Sequence, residues 1–304
     1  MGNEWCKKVI PMRKGERKKE IALLFPSEMA HLEPFEVGNN KIRRLDLLGW
    51  YKYCCDLGYQ VDVISHHEIE RDVLDEYKVL IIPTNDCYFA VEHKLMEEKI
   101  CSWVRNGGVV IHGPMDLLAE RCFGIIGETC EKRPYCYGKV IIAQGEAFCK
   151  YNSGAEVSAY IDEGGCCIAR HDGEWLSEHM KIGQGRCLGE VYSFGVQIGA
   201  SYSSKNIPHV PYNQGNKEMY PIVLAGDNLV KDILNRYVIP ASGICERGIE
   251  TGVFDNGMFI VNHRSTPYVL PKQFFSETYQ YPNHTTVDGY GVLGGHEAVW
   301  VSNE

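Results

Sequence analysis

His112 is the residue of this sequence best placed to move a proton. It closes the run Val109-Val110-Ile111-His112, just before a Gly113-Pro114 corner. An imidazole titrates near neutrality and can act as a general base. A base needs a group to activate, yet the residue before it is Ile111, neither Ser nor Cys. The nearest thiols in sequence, Cys87 and Cys122, sit in no nucleophile motif. His66-His67-Glu68 carries adjacent histidines, which point to different sides of an extended chain, so no metal site is expected there. The chain holds no H-E-x-x-H and no C-x-x-C pair. Gly183-Gln184-Gly185-Arg186 lacks the pattern of a phosphate loop and reads as a turn. The neighbouring acids Asp75-Glu76 and Glu97-Glu98 read as solvated faces, not as a separated acid/base pair.

The elements that must position these residues follow from periodicity. Ile21-Ala22-Leu23-Leu24, Val61-Asp62-Val63-Ile64, Lys78-Val79-Leu80-Ile81-Ile82 and Val109-Val110-Ile111 read as short strands. Between them, Lys41–Leu57 and Glu92–Val104 carry helical spacing. The first puts Leu47, Leu48, Tyr51, Cys54 and Cys55 on one stripe; the second does so with Met96, Ile100, Trp103 and Val104. Gly58 and Gly107-Gly108 are expected to end these helices. This rhythm predicts an α/β fold with a doubly wound, mostly parallel sheet. Ligands of such sheets bind beyond the carboxyl ends of the strands. Glu28, His66, Asn85 and His112, with Ser27, Ser65 and Thr84, fall at those ends and are the candidate pocket residues. Polar residues at strand ends also serve to satisfy backbone groups, so position alone does not make them a site.

Further along, Lys139–Ala143, Ala155–Ile161, Cys166–Arg170 and Val191–Gly195 read as strands, and Asp227–Tyr237 as a last helix. Beyond about residue 246 the pattern is β only. Asp255-Asn256-Gly257 between two apolar runs signals a hairpin, and Glu297–Val301 reads as an edge strand. The expected organisation is a loosely held polar head or linker over 1–19, an α/β domain over 20–245 and a small sandwich-like β domain over 246–304.

The 304 residues are 44% hydrophobic and 23% charged, enough for a sizeable core. A net charge of -9 argues against a nucleic-acid partner. No apolar run approaches the ~18 residues of a membrane span. The 13 cysteines show neither metal-ligand nor disulfide spacing. They read as reduced thiols of a cytoplasmic protein, with no cofactor expected.

Two resemblances enter on particular stretches. SWVRNGGVVIHGPMDLLAE (102–120) resembles the nucleophile segment of class I glutamine amidotransferase-like proteins. Laid along it, the nucleophile's place falls on Ile111, with His112-Gly113-Pro114 retained. The chain also resembles the trimerisation domain of family 42 β-galactosidases. This rests on KIRRLDLLGWYKYCCDLGYQVDVIS followed by LDEYKVLIIP, on the NGGVVIHGP corner, and on IGQGRCLGEVYSFG. The terminal FDNGMFIVNHRS is similar to the small β domain at the end of those enzymes. The order of these stretches covers nearly all of the chain from about residue 20.

The resemblance implies a non-catalytic assembly or accessory module with no catalytic residue of its own. Its implied partners are further copies, as a trimer, or a glycosidase barrel subunit whose sugar site it helps to wall. The residues leave two other readings open. One is a stand-alone glycoside, amide or ester hydrolase using His112, Glu28 and Cys87. The other is a carbohydrate-binding or sensing module using Trp175, Tyr202 or Tyr212.

Overall fold

The computed structural model of the chain describes residues 7, 10–25, 38–83, 93–112, 156–161, 167–172, 189–194, 199, 202, 230–274, 285–287 and 290–302. They fall into an α/β unit and a β unit. The β unit gathers Met1–Glu20, Cys54–Val61 and Ile239–Glu304, and the α/β unit Ile21–Tyr53 and Asp62–Val238.

In the α/β unit, β1 (Ile21–Leu24), β3 (Val79–Ile82) and β4 (Val109–His112) are short runs in which every residue is buried. Unbroken apolar runs of this length suit strands covered on both faces. β1 pairs with β3, β3 with β4, and β4 with β7 (Glu190–Phe194), all parallel. β6 (Cys167–Asp172) runs antiparallel to β7, and β5 (Glu156–Ile161) antiparallel to β6. With β2 (Val61–Ile64) at the other edge, the sheet order is β2-β1-β3-β4-β7-β6-β5. Four parallel strands accompanied by helices make this an α/β fold with a separate small β part. The expected strand at 139–143 lies outside the described residues.

Helix α1 (Gly38–Asp56) forms where helical spacing was read, and Leu47, Cys54 and Cys55 of the expected stripe are buried. Leu48 of that stripe is 42% exposed, and the buried face also takes in Leu45, Trp50 and Tyr53 together with Arg43 and Asp46. An apolarity count does not find the two buried polar residues. Helix α3 (Lys94–Arg105) matches its stripe, with Met96, Ile100, Trp103 and Val104 buried. Gly107 follows at φ +108, and a Cβ on Gly108 would lie 2.3 Å from the Trp103 ring. The glycine pair thus lets the chain fold back against its own helix and enter β4. His66–Glu70 forms a short helix, α2, and is not extended as the sequence suggested. Ser65 caps it: its N–H and its hydroxyl both donate to the Glu68 carboxylate, the N–H at 2.8 Å.

The β unit holds two antiparallel three-stranded sheets. In one, β9 (Gly257–Asn262) lies between β8 (Ile249–Phe254) and β13 (Ala298–Ser302). In the other, β12 (Tyr290–Leu293) lies between β10 (Tyr268–Val269) and β11 (Thr285–Val287). Ile249, Val253, Met258, Ile260, Leu270, Leu293, Val299 and Val301 share one core. The expected hairpin is β8–β9, closed at Phe254↔Gly257 around Asp255-Asn256. Residues 12–20 of the head are tied into this unit. Asn256 accepts from the Lys14 N–H through Oδ1 (2.7 Å) and donates through Nδ2 to the Met12 carbonyl (2.8 Å). The Lys18 N–H donates to the Val253 carbonyl (2.8 Å), and its ammonium pairs with Asp255 (3.0 Å).

Candidate functional site

The carboxyl ends of the parallel strands are where this topology would hold a ligand. Residues in register across parallel strands lie on one face, so rows can be read directly. One row runs Leu23, Ile81, Ile111, Tyr192 across β1, β3, β4 and β7. The first three are fully buried and Tyr192 is 2% exposed. Ile111 is therefore a member of an apolar layer that spans four strands. The tyrosine at the end of this layer is satisfied: its hydroxyl lies 2.6 Å from that of Tyr237, on the helix over 230–237 (α4).

The next row runs Ile82, His112, Ser193. His112 is 4% exposed at the last position of β4. Sequence reasoning did not single out Ser193, because it lies between Tyr192 and Phe194 in an ordinary strand pattern; only the β4–β7 register puts it beside His112.

His66 is half-buried at the start of α2. Its ring packs on two others: His67 at 3.9 Å between centroids, and His93 at 4.4 Å. The extended-chain reading that sent His66 and His67 to opposite sides is corrected by the helix, which brings the two rings against each other. His93 drew no notice in the sequence. It precedes α3 as its N-cap, where its side chain makes no capping bond. Glu68 beside them is held below its ordinary value, first by the Ser65 hydroxyl that donates to it. Glu28, Asn85, Cys87 and Cys122 lie outside the described residues, as do Trp175 and Tyr212. Tyr202, taken from sequence as a loop aromatic, is 8% exposed and packs edge-on against Tyr53 at 5.1 Å.

Among the described residues, no group of three His, Cys, Asp or Glu side chains is arranged to hold a metal ion. None of their helices is long and apolar enough to cross a membrane. Cys54, Cys55, Cys101 and Cys245 are in no disulfide; the first three are buried, and burial pushes the Cys54 thiol up. A thiol held protonated is a poor nucleophile.

In the β unit, several polar side chains are buried and each meets main-chain groups. Glu20 accepts from the N–H groups of Gln60 (2.7 Å) and Ala241 (2.6 Å). Gln60 in turn accepts from the Val253 N–H and donates to Thr251 Oγ1, both at 3.0 Å. Asp56 accepts from the Gly248 N–H (2.7 Å). Asn262 donates to the carbonyls of Thr266 (2.9 Å) and Gly294 (3.0 Å) and accepts from the Arg264 N–H (3.0 Å). These groups close backbone turns and strand ends.

No family model matches the chain, and no curated protein matches it. Among solved structures, a catalytic mutant of a GH42 β-galactosidase from G. stearothermophilus is similar at 14% identity and a TM-score of 0.48, covering 94% of this chain. The β-galactosidase of Bacillus circulans sp. alkalophilus is similar at 13% identity and 0.49, covering 99%. That of Rahnella sp. R3 is similar at 12% identity and 0.49, covering 98%. The chain spans 40%, 43% and 42% of the lengths of those three.

Proposed function

We propose that this chain is a non-catalytic assembly or accessory module related to a family 42 β-galactosidase. Its α/β unit, of amidotransferase-like descent, supplies a subunit interface. Its partners are further copies of itself, as a trimer, or a glycosidase barrel subunit whose sugar site it helps to wall, in the reducing cytoplasm. The observation that carries this reading is Ile111. The resemblance at 102–120 gives that position to a nucleophile, and here it is a fully buried hydrocarbon in a four-strand apolar row. A group meant to attack a substrate must be reached by it. The test is light scattering of the purified chain, alone and with the products of neighbouring coding sequences. A trimer, or a stoichiometric complex with a barrel-bearing chain, is the expected result. A monomer at high concentration that captures no such partner overturns the proposal.

A second reading has one observation in its favour: His112 and Ser193 share a row at the carboxyl ends of β4 and β7. On that reading the chain is itself a hydrolase of glycosides, amides or esters. It requires turnover by the purified protein that His112→Ala abolishes; turnover unchanged in that variant, or none at all, removes it.

A further inference from the structure

We propose that Asn106 is a site of self-modification, at which the Gly107 main-chain nitrogen displaces the side-chain amide and turns the chain leaving α3 into an isoaspartyl link. The sequence carries Asn-Gly twice, at 106–107 and at 256–257. Glycine presents an attacking nitrogen with no side chain to shield it, so the two pairs share one chemistry and differ in what the fold does with them. Asn106 is exposed, caps the C-terminal end of α3 and leads into Gly107 in a turn outside any strand. The Gly107 N–H donates to the Val104 carbonyl (3.0 Å), a bond of the last helical turn, where local opening is cheapest. The Lys78 ammonium binds the carbonyl of Gly107, not the amide that reacts. Asn256 is 7% exposed, and both ends of its amide are engaged, Oδ1 by the Lys14 N–H and Nδ2 by the Met12 carbonyl. Gly257 stands in register with Phe254 on one side and Ser302 on the other. Attack there requires the amide to leave its partners and the glycine to leave two strands.

The reaction needs water and no other reactant. The Gly107 nitrogen bonds to Cγ of Asn106, the Cγ–Nδ2 bond breaks, and ammonia leaves with the proton that the nitrogen gave up. Water then opens the cyclic imide. Opening at Cγ gives aspartate; opening at the main-chain carbonyl carbon gives isoaspartate, whose backbone runs through the side chain and is longer by one methylene. The corner is too tight for that methylene. The Gly108 N–H donates to the Trp103 carbonyl (3.0 Å), and a Cβ on Gly108 would lie 2.3 Å from the Trp103 ring. A Cβ on Gly189 would lie 2.1 Å from the carbonyl oxygens of both Val104 and Gly108. Val109 follows at once and opens β4 between Val79 and Glu190. Isoaspartate at 106 therefore moves Gly108 off Trp103 and loosens β4 where it enters the sheet.

The test is incubation of the full chain in mildly alkaline buffer, native and in guanidinium, with conversion of amide to acid mapped by mass spectrometry of its peptides. In the native protein Asn106 is expected to convert at least about tenfold faster than Asn256, which must first give up two hydrogen bonds; denaturation is expected to close that gap. The isoaspartate form should lose hydrogen-exchange protection over residues 109–112. Asn106→Gln, whose longer side chain forms the imide poorly, should keep that protection through the same incubation. Asn106→Asp adds the charge without the methylene and should keep it when measured fresh. The proposal is overturned by no conversion at 106 in the native protein, by equal native rates at the two sites, by a gap that persists in guanidinium, or by the same loss of protection in fresh Asn106→Asp.

Discussion

The row Leu23–Ile81–Ile111–Tyr192 and the network of Glu20, Gln60, Thr251 and Asn262 are buried alike and built of opposite materials. The row belongs to the α/β unit and runs through a place where a reactive group would be looked for. It is filled by hydrocarbon, with one tyrosine satisfied by another. The network belongs to the β unit, where no chemistry was expected, and it is polar throughout. Glu20 and Gln60 bond main-chain groups, Thr251 accepts from Gln60, and Asn262 separately ties main-chain groups of Thr266, Gly294 and Arg264. Buried polarity is therefore a weak sign of a reactive site in this molecule. A carboxylate or amide bonded to backbone groups in this way is held to a structural place in the fold.

The contrast can be broken by substitution. Ile111→Ala should cost the α/β unit about 4 kcal/mol, from lost transfer energy and an uncollapsed cavity, read from the urea midpoint. A loss under about 1 kcal/mol would mean the row is not a packed layer. Asn262→Ala should cost the β unit about 3 kcal/mol, because it leaves buried carbonyls and an N–H without partners, measured the same way. Asn256→Ala should cost about 1–2 kcal/mol, as hydrogen bonds to the head are lost. Its sharper signature is faster hydrogen exchange over residues 12–18 with the β8–β9 ladder unchanged. Ile111→Cys supplies the sulfur that the resemblance would place there. It should cost about 1–2 kcal/mol, and the thiol should resist alkylation until the protein unfolds; rapid labelling of the native protein would contradict the burial of the row.

The smallest effect is one of slope. Burial holds the Glu20 carboxyl above its ordinary value of 4.5, and this outweighs the two N–H groups that donate to it. A raised acid binds its proton more tightly folded than unfolded. Its contribution therefore favours the β unit at the acid end and is lost as pH rises from 4.5 through the raised value. Denaturation midpoints across that interval should show this slope, and Glu20→Gln should flatten it. An unchanged slope in the variant would assign it to other groups.

Much of the fold was legible because its strongest elements obey one period each. β1, β3 and β4 are unbroken apolar runs, α3 shows its stripe, and the Asp255-Asn256-Gly257 hairpin rests on local turn chemistry. α1 was found with Leu47, Cys54 and Cys55 on its buried face, but Arg43 and Asp46 are buried too and Leu48 is not. Tertiary contacts, not apolarity, decide those three positions. Of the candidate site, Ile111 and His112 could be ordered along β4, yet Ser193 beside His112 is set by a pairing 81 residues away in sequence (193 minus 112). The histidine stack was missed for a related reason. His66-His67 looked extended while Ser65 and Glu68 formed a capping box, and His93 arrives from a different helix.

Asn256 grips the chain at residues 12 and 14, which precede it by 244 and 242 positions. On the ribosome, that early segment therefore leaves the exit tunnel long before its binding turn has been translated. The β unit can be completed only after the whole of the intervening α/β unit has been made. A ribosome stalled before residue 249 would have made every strand of the parallel sheet, while the basic head still lacked the turn that binds it. Synthesis thus sets the order in which the two units can be completed, with the α/β unit first.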